Sequence, residues 1–413
     1  MIGDVHGHVD GERLWARLME LAEFGKRPDG GVDRQTLTVD EIAARAQIVS
    51  WARDLGLTPY TDVAANLFLR LEGLSPKLAP VVAGSHIDTQ PTGGKFDGAF
   101  GVISALEAVN AIISSGKRTN RSIEVVAWTN EEACRFAPGM TGSCVFTNKL
   151  SIGEAELLKD GQGVSLAQAR DAVLASDDGV SLRDLNWPIA SYVEPHIEQA
   201  TRLEEAGYPI GVVTGIQGTR RYRVKILGEP AHAGTAERGV RRDALLAAAR
   251  IINSLDLETA KIAGFKFTVG MLNVTPNAPS VVPQEVFFSI DIRHVDDQAV
   301  DAIAKCIHSI VEREKGPCGA IVKEITHAPS VHFDAEIQNK IAACADAVGI
   351  PHMPVFSAAG HDARQLSYIA PSGMIFVPCK GGISHSPEEW AEPEHLTAAT
   401  KILAELLVQL ADE

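Results

Sequence analysis

At 413 residues, 45% of them apolar, the chain is long enough to bury a large core and, at about 150 residues per domain, to form two domains. Its 38 Lys and Arg against 53 Asp and Glu leave a net charge of -15, which repels phosphate backbones and anionic headgroups and excludes nucleic acid and membrane surfaces as partners. The six cysteines (Cys134, Cys144, Cys306, Cys318, Cys344 and Cys379) include no C-x-x-C pair; with no apolar leader and no run of about 18 apolar residues, a reducing, cytoplasmic location is expected.

In chain order, Leu14, Leu18 and Leu21 predict an opening helix, and the capping-box pattern Thr38-x-x-Glu41 predicts a second. A short apolar run (PVVAG, 80–84), a Gly-rich loop, a helix (AFGVISALEAVNAIISSG) and another apolar run (IEVVAW, 123–128) follow. This strand–helix–strand alternation marks a sheet covered by helices. Between about residues 218 and 329 the rhythm becomes strand (RYRVKILGE), helix (RRDALLAAARIINSL), strands (FKFTVGML and EVFFSIDIRH), helix (DDQAVDAIAKCIHSIVEREKG) and strand (AIVKEITHA). That β-α-β-β-α-β order is a split βαβ, ferredoxin-like unit. We therefore expect an α/β chain in which a first domain, residues 1–216 and 331–413, is interrupted by an inserted domain over 217–330. The tail resumes the first pattern with a helix over about 335–348, a strand at GMIFVPC and a closing helix from about Glu394.

The chemistry-bearing residues follow apolar runs. GSHIDTQPTGGKFDGAFG places His86 and Asp88 directly after a strand and Asp97 in a Gly-rich loop ahead of a helix; in α/β sheets, sites collect at strand ends. Imidazole and carboxylate are the usual ligands of a catalytic zinc, and a carboxylate between two ions can give one oxygen to each. Asp88 is placed to accept the other N–H of His86 and fix the ring. Glu131 and Glu132 lie side by side in WTNEEACRF, so their side chains diverge: one can ligate metal while the other faces the attacking water. His196 in YVEPHIEQ and His385 in KGGISHSPEEW complete the set. Taken singly, each has an ordinary explanation as a core histidine, a turn residue or a solvated pair. Residues that each terminate a strand of one sheet can instead converge.

Together HIDTQPTGGKFDGAFGV, WTNEEACRFAPGMTGS, EPHIEQ, GIQGTRRYRVKILGEPAHAGT, NAPSVVPQ, DIRH and GGISHSPEEW resemble the zinc-dependent hydantoinase/carbamoylase amidohydrolases across nearly the whole chain. That group contains N-carbamoyl-L-amino-acid hydrolases, allantoate amidohydrolases and β-ureidopropionases, and is related to the two-zinc aminoacylases and carboxypeptidases. The resemblance implies a two-zinc exopeptidase-like catalytic domain with helices on a mixed sheet, and an inserted ferredoxin-like domain that serves as lid and dimerisation element of a homodimer. It implies two divalent ions per subunit, zinc with manganese or cobalt as alternatives, bridged by Asp97. His86, Glu132, His196 and His385 fill the two shells, with their pairing left open, and Glu131 is the general base. His232 in PAHAGT resembles the group that stabilises the oxyanion, reaching the site of a second subunit. Asn277 and Arg293 resemble those that bind the substrate carboxylate, and Gln199 and Gln217 are weaker candidates for the ureido or amide end.

Three stretches depart from the family pattern: Ala133-Cys134 stands where Gly-Ser is common, Ala200 where Gly is usual, and Ala236-Glu237-Arg238 where Thr-Pro-Met is common. The ligand set survives all three, whereas selectivity is put in question because the last adjoins His232. The expected activity is hydrolysis of N-carbamoyl-L-amino acids or a close ureido acid, with allantoate or N-acyl amino acids as the enzymatic alternatives. A binding protein that keeps the fold without turnover is the non-enzymatic alternative; retention of every ligand and of Glu131 argues against it.

Overall fold

The computed structural model describes residues 4–176 and 179–413. The chain forms two compact units, Met1–Gly215 with His332–Glu413, and Ile216–Val331.

The larger unit is built on a ten-stranded mixed sheet. Its centre is four parallel neighbours in the order Ser372–Val377, Ser191–Ile197, Val81–His86 and Ile123–Trp128. Every residue of these strands is buried, as expected where both faces of a parallel sheet are covered, which is why they read as continuous apolar runs. The antiparallel strands Leu67–Leu71 and Thr58–Thr61 extend one side, and Ile210–Ile216 pairs antiparallel to Ser372–Val377 on the other.

The helix Ala99–Ser114 is buried from Ala99 through Ile112, and the closing helix Pro393–Asp412 carries a broad buried face; both join the main core. The opening helix Gly11–Leu21 buries Leu14, Leu18 and Leu21 as its spacing predicts. Thr38 caps the helix Val39–Asp54 by accepting from the Glu41 N–H. The other half of the capping box differs, because the Glu41 carboxylate accepts from the Leu37 N–H, one residue earlier.

In the smaller unit, an antiparallel sheet runs Lys266–Thr268, Glu285–His294, Gly218–Leu227 and Gly319–Ala328. The helices Ala244–Thr259 and Asp297–Glu314 supply the rest of a second core. In place of one strand over FKFTVGML (265–272) there are two short ones, Lys266–Thr268 within it and Leu272–Thr275 starting at its last residue, on different halves of Glu285–His294. The ladder breaks between them, where Met271 and Ser289 exchange bonds: the Met271 N–H donates to the Ser289 hydroxyl and the Ser289 N–H to the Met271 carbonyl. No described helix is long and apolar enough to cross a membrane.

Candidate active site

Because the central strands are parallel, their carboxyl ends share one edge of the sheet, and the chemistry gathers there. His86 ends one strand, His196 is the penultimate residue of the next, and Glu131 and Glu132 lie in the loop after Trp128. Asp97 occupies the turn that opens the helix Ala99–Ser114. Gly98, at φ +64°, lies so close to His86 that an added Cβ would stand 2.4 Å from its ring atoms, so only glycine lets the loop approach this far. His385 arrives from the loop after Ser372–Val377.

Two groups of donors result, and they share Asp97. Asp97 Oδ1 faces His196 Nε2 at 3.3 Å and His86 Nε2 at 3.9 Å, while Oδ2 faces His385 Nε2 at 3.1 Å. Glu132 Oε2 lies 3.4 Å from His385 Nε2. His86 and His196 thus fall in one group with Asp97, and Glu132 and His385 in the other. The ring tautomers follow from backbone contacts: His86 Nδ1–H donates to the Asp88 carbonyl and His196 Nδ1–H to the Ile197 carbonyl, each at 2.9 Å. His196 Nε2 accepts the Gly98 N–H at 3.2 Å, so its lone pair is on Nε2. For His86 the same holds once the ring is neutral, as a metal ligand must be, although against the cost of burial Asp88, Glu131 and Glu132 raise its pKa well above the ordinary value when no ion is bound. Glu131 belongs to neither group; its Oε2 lies 3.8 Å from His86 Nε2.

The electrostatics of the cluster suit cations. Burial and the neighbouring Asp97 push Glu132 up to about 7, and burial drives Glu131 and Asp362 well above the carboxylate range. Against the cost of burial, the hydrogen bond from His385 and the nearby His196 and His86 hold Asp97 well below it. Burial lowers His196 to about 4, a neutral imidazole ready to ligate, whereas the Asp97 hydrogen bond raises His385 to about 9. Glu132 Oε1 is buried without a hydrogen-bond partner. An orphaned carboxylate oxygen among crowded acids and Nε2 lone pairs is the donor set of a divalent ion, and the residues fit one in each group.

The other expected residues are placed as follows. The Asp88 carboxylate lies 3.4 Å from His86 Nδ1, farther than its own carbonyl, and also accepts the N–H groups of Glu131 and Glu132 at 3.3 Å each. It thus aligns the Glu pair as well as the ring. The Gln199 amide is already engaged, donating to Asp97 Oδ2 at 2.8 Å and to Ser384 Oγ at 3.1 Å. Gln217, His232, Asn277 and Arg293 belong to the smaller unit. Gln217 is buried, and Asn277 is exposed at φ +57°. Exposed His232 accepts the N–H groups of Gly234 and Thr235 at Nδ1, which leaves Nε2–H as a donor. Arg293 makes a two-point contact with Asp291, at 2.8 and 3.0 Å.

Sequence reasoning missed Glu194, His361 and Asp362. His361 is buried with its ring 4.4 Å from that of His196; it lies four residues after the strand His352–Ser357 in the segment GHDA, a His-Asp pair beyond a strand that is a weaker form of the signal at His86. Glu194 forms a third donor group with His196 and His361. Its oxygens, however, accept from Ser85 Oγ, Tyr192 Oη and the Ala363 N–H, so it serves as a brace behind the site.

Residues 82–409 match the model of peptidase family M20/M25/M40, and the chain belongs to that family, whose enzymes use a dinuclear metal site. Among its relatives, the chain is 39% identical to an N-carbamoyl-L-amino acid amidohydrolase of Geobacillus stearothermophilus, over 98% of this chain and 99% of that one. It is 34% identical to an allantoate amidohydrolase of Bacillus subtilis, over 95% of each. Its fold is similar to that of a hydantoinase/carbamoylase family amidase from Burkholderia multivorans, with a TM-score of 0.91 and 39% identity over 98% of each chain.

Proposed function

We propose that this chain is a metal-dependent amidohydrolase that cleaves the C–N bond of N-carbamoyl-L-amino acids, with zinc as its resident ion. The observation that carries the reading is Asp97, whose two oxygens face two different donor groups. His86, His196 and Asp97 would hold one ion, and Glu132, His385 and Asp97 the other. Ions held there would supply Lewis-acid polarisation of the scissile carbonyl and would lower the pKa of a water to roughly 7.

Glu131, outside both groups, takes the proton of the attacking water and passes it to the leaving nitrogen. The Nε2–H of His232 suits an oxyanion, and a guanidinium fork suits the substrate carboxylate. Arg293 must share or exchange its Asp291 contact to fill that role, with Asn277 beside it in the assignment. Gln199 and Gln217 remain the weaker candidates for the ureido or amide end, and Gln199 also donates to Asp97 Oδ2. The similarity to N-carbamoyl-L-amino-acid amidohydrolases supports the substrate class, and the scattered cysteines support a cytoplasmic home.

Ammonia release from a panel of N-carbamoyl-L- and D-amino acids, allantoate, N-carbamoyl-β-alanine and N-acetyl amino acids, with defined metals, tests this reading. The N-carbamoyl-L-amino acids should be turned over fastest. Faster turnover of allantoate would reassign the substrate, and a metal-loaded protein inert on every ureido acid would overturn the assignment.

We further assign the smaller unit to a homodimer in which His232 serves the centre of the neighbouring copy. His232→Ala and Glu131→Gln should each be nearly inactive alone. A heterodimer of the two has one site with both defects and one with neither, so about a quarter of wild-type activity should return on random exchange. Verified heterodimers that stay inactive would return His232 to its own subunit or remove it from the oxyanion role.

A further inference from the structure

A carboxylate that serves two ions must be held at a fixed rotation, since a turn about its Cβ–Cγ bond would withdraw an oxygen from one group. The Gln199 amide and the Ser384 hydroxyl touch Oδ2 directly, and behind them a buried carboxylate fixes the loops themselves. Glu389 is buried and sits four residues after His385. Its Oε1 accepts the N–H groups of both Phe96 and Asp97, at 2.8 and 3.1 Å. Its Oε2 lies 3.0 Å from Ser384 Oγ, which is itself 3.0 Å from Asp97 Oδ2. The 94–98 loop wraps so tightly that a Cβ on Gly94 would stand 2.2 Å from the Glu389 carboxylate. One buried side chain thus joins the loop that carries Asp97 to the loop that carries Ser384 and His385.

We propose that Glu389 is a positioning residue of the centre: by clamping the 94–98 and 384–389 loops together, it helps set Asp97 in the orientation that gives one oxygen to each donor group. This rests on the two-ion reading above. Glu389 is not itself a ligand, because both its oxygens are directed at the loops. Its loss should fall first on the group formed by Asp97, Glu132 and His385, since His385 rides on the clamped loop while His86 and His196 are held by sheet strands.

The clamp needs an acceptor of the right length. In Glu389→Gln the amide oxygen can still accept from Phe96 and Asp97, and the NH₂ can donate to Ser384, whose hydroxyl then donates to Asp97. Glu389→Asp keeps the charge but is one methylene too short, and Glu389→Leu keeps the bulk without any acceptor. Metal content per folded chain and the chelator concentration that removes half of it should be measured for all three, alongside the melting temperature of the stripped protein. Gln should stay within about twofold of wild type, whereas Asp and Leu should lose affinity at one of the two sites by about 10–100-fold. Stripped Gln should melt with stripped wild type, whereas stripped Asp and Leu, which leave the Phe96 and Asp97 N–H groups without their acceptor, should melt lower but still as folded proteins.

If the Leu variant does not fold, the contrast between Gln and Asp decides. Wild-type affinity in Asp or Leu, or a Gln variant as weak as Asp, would overturn the clamp while leaving the two-ion reading intact. A wild-type protein that binds no ions would instead overturn that reading itself.

Discussion

Glu131→Gln is expected to keep both metals and to lose about 10²–10⁴-fold in turnover, the usual contribution of a general acid–base group. Glu131 stands outside both donor groups, 3.8 Å from His86 Nε2, so an isosteric amide removes no ligand. The substitution should also cost little stability in the stripped protein, because without metal ions burial, and after it the neighbouring Asp362, Glu132 and Asp88 against the opposing His86, drive Glu131 toward its neutral form, whereas cations bound beside it would favour the carboxylate that the base role needs. A neutral carboxyl and a carboxamide make similar demands on their surroundings. What Gln cannot do is take a proton from water and return it to nitrogen. Turnover per metal-loaded chain, read against wild type, checks this; near-normal turnover in the fully metallated variant would remove Glu131 from the role.

How much of this centre could be read in advance depended on where each residue sits along its strand. His86, His196 and the Glu131–Glu132 pair follow or end apolar runs, and those runs are parallel neighbours with a common carboxyl edge, so a signal at each strand end became a cluster in space. Asp97 was legible because glycines surround it, and Gly98 proves to be the residue that lets its loop close on His86. The division of ligands was not legible, since it depends on which oxygen of Asp97 faces which ring.

The supporting residues were hidden for a different reason. Glu194 lies inside a buried strand, where its charge is answered by Tyr192 of the same strand and, from two distant segments, by Ser85 and the Ala363 backbone. Glu389 acts through backbone N–H groups nearly three hundred residues away, and nothing in the pattern around it announces that contact. Gln199 reads as a weaker candidate for the ureido or amide end; that its amide donates to Asp97 was not legible, nor was its φ of +56°, a local conformation that periodicity does not report. In the smaller unit the element order was legible, but the break in FKFTVGML was not, because it comes from the Met271–Ser289 exchange with the neighbouring strand.

The central claim is a two-ion centre shared through Asp97, and the metal content of purified, folded Asp97→Ala tests it most directly. Asp97 is the member common to both donor groups, with Oδ1 toward His196 and His86 and Oδ2 toward His385. Its removal leaves two ligands for each ion, too few for a stable site. His385→Ala, by contrast, depletes the group with Glu132 and leaves His86, His196 and Asp97 in place. The account predicts that Asp97→Ala retains neither ion, or close to neither, while His385→Ala retains one of the two. Two ions bound as in wild type in Asp97→Ala would contradict it.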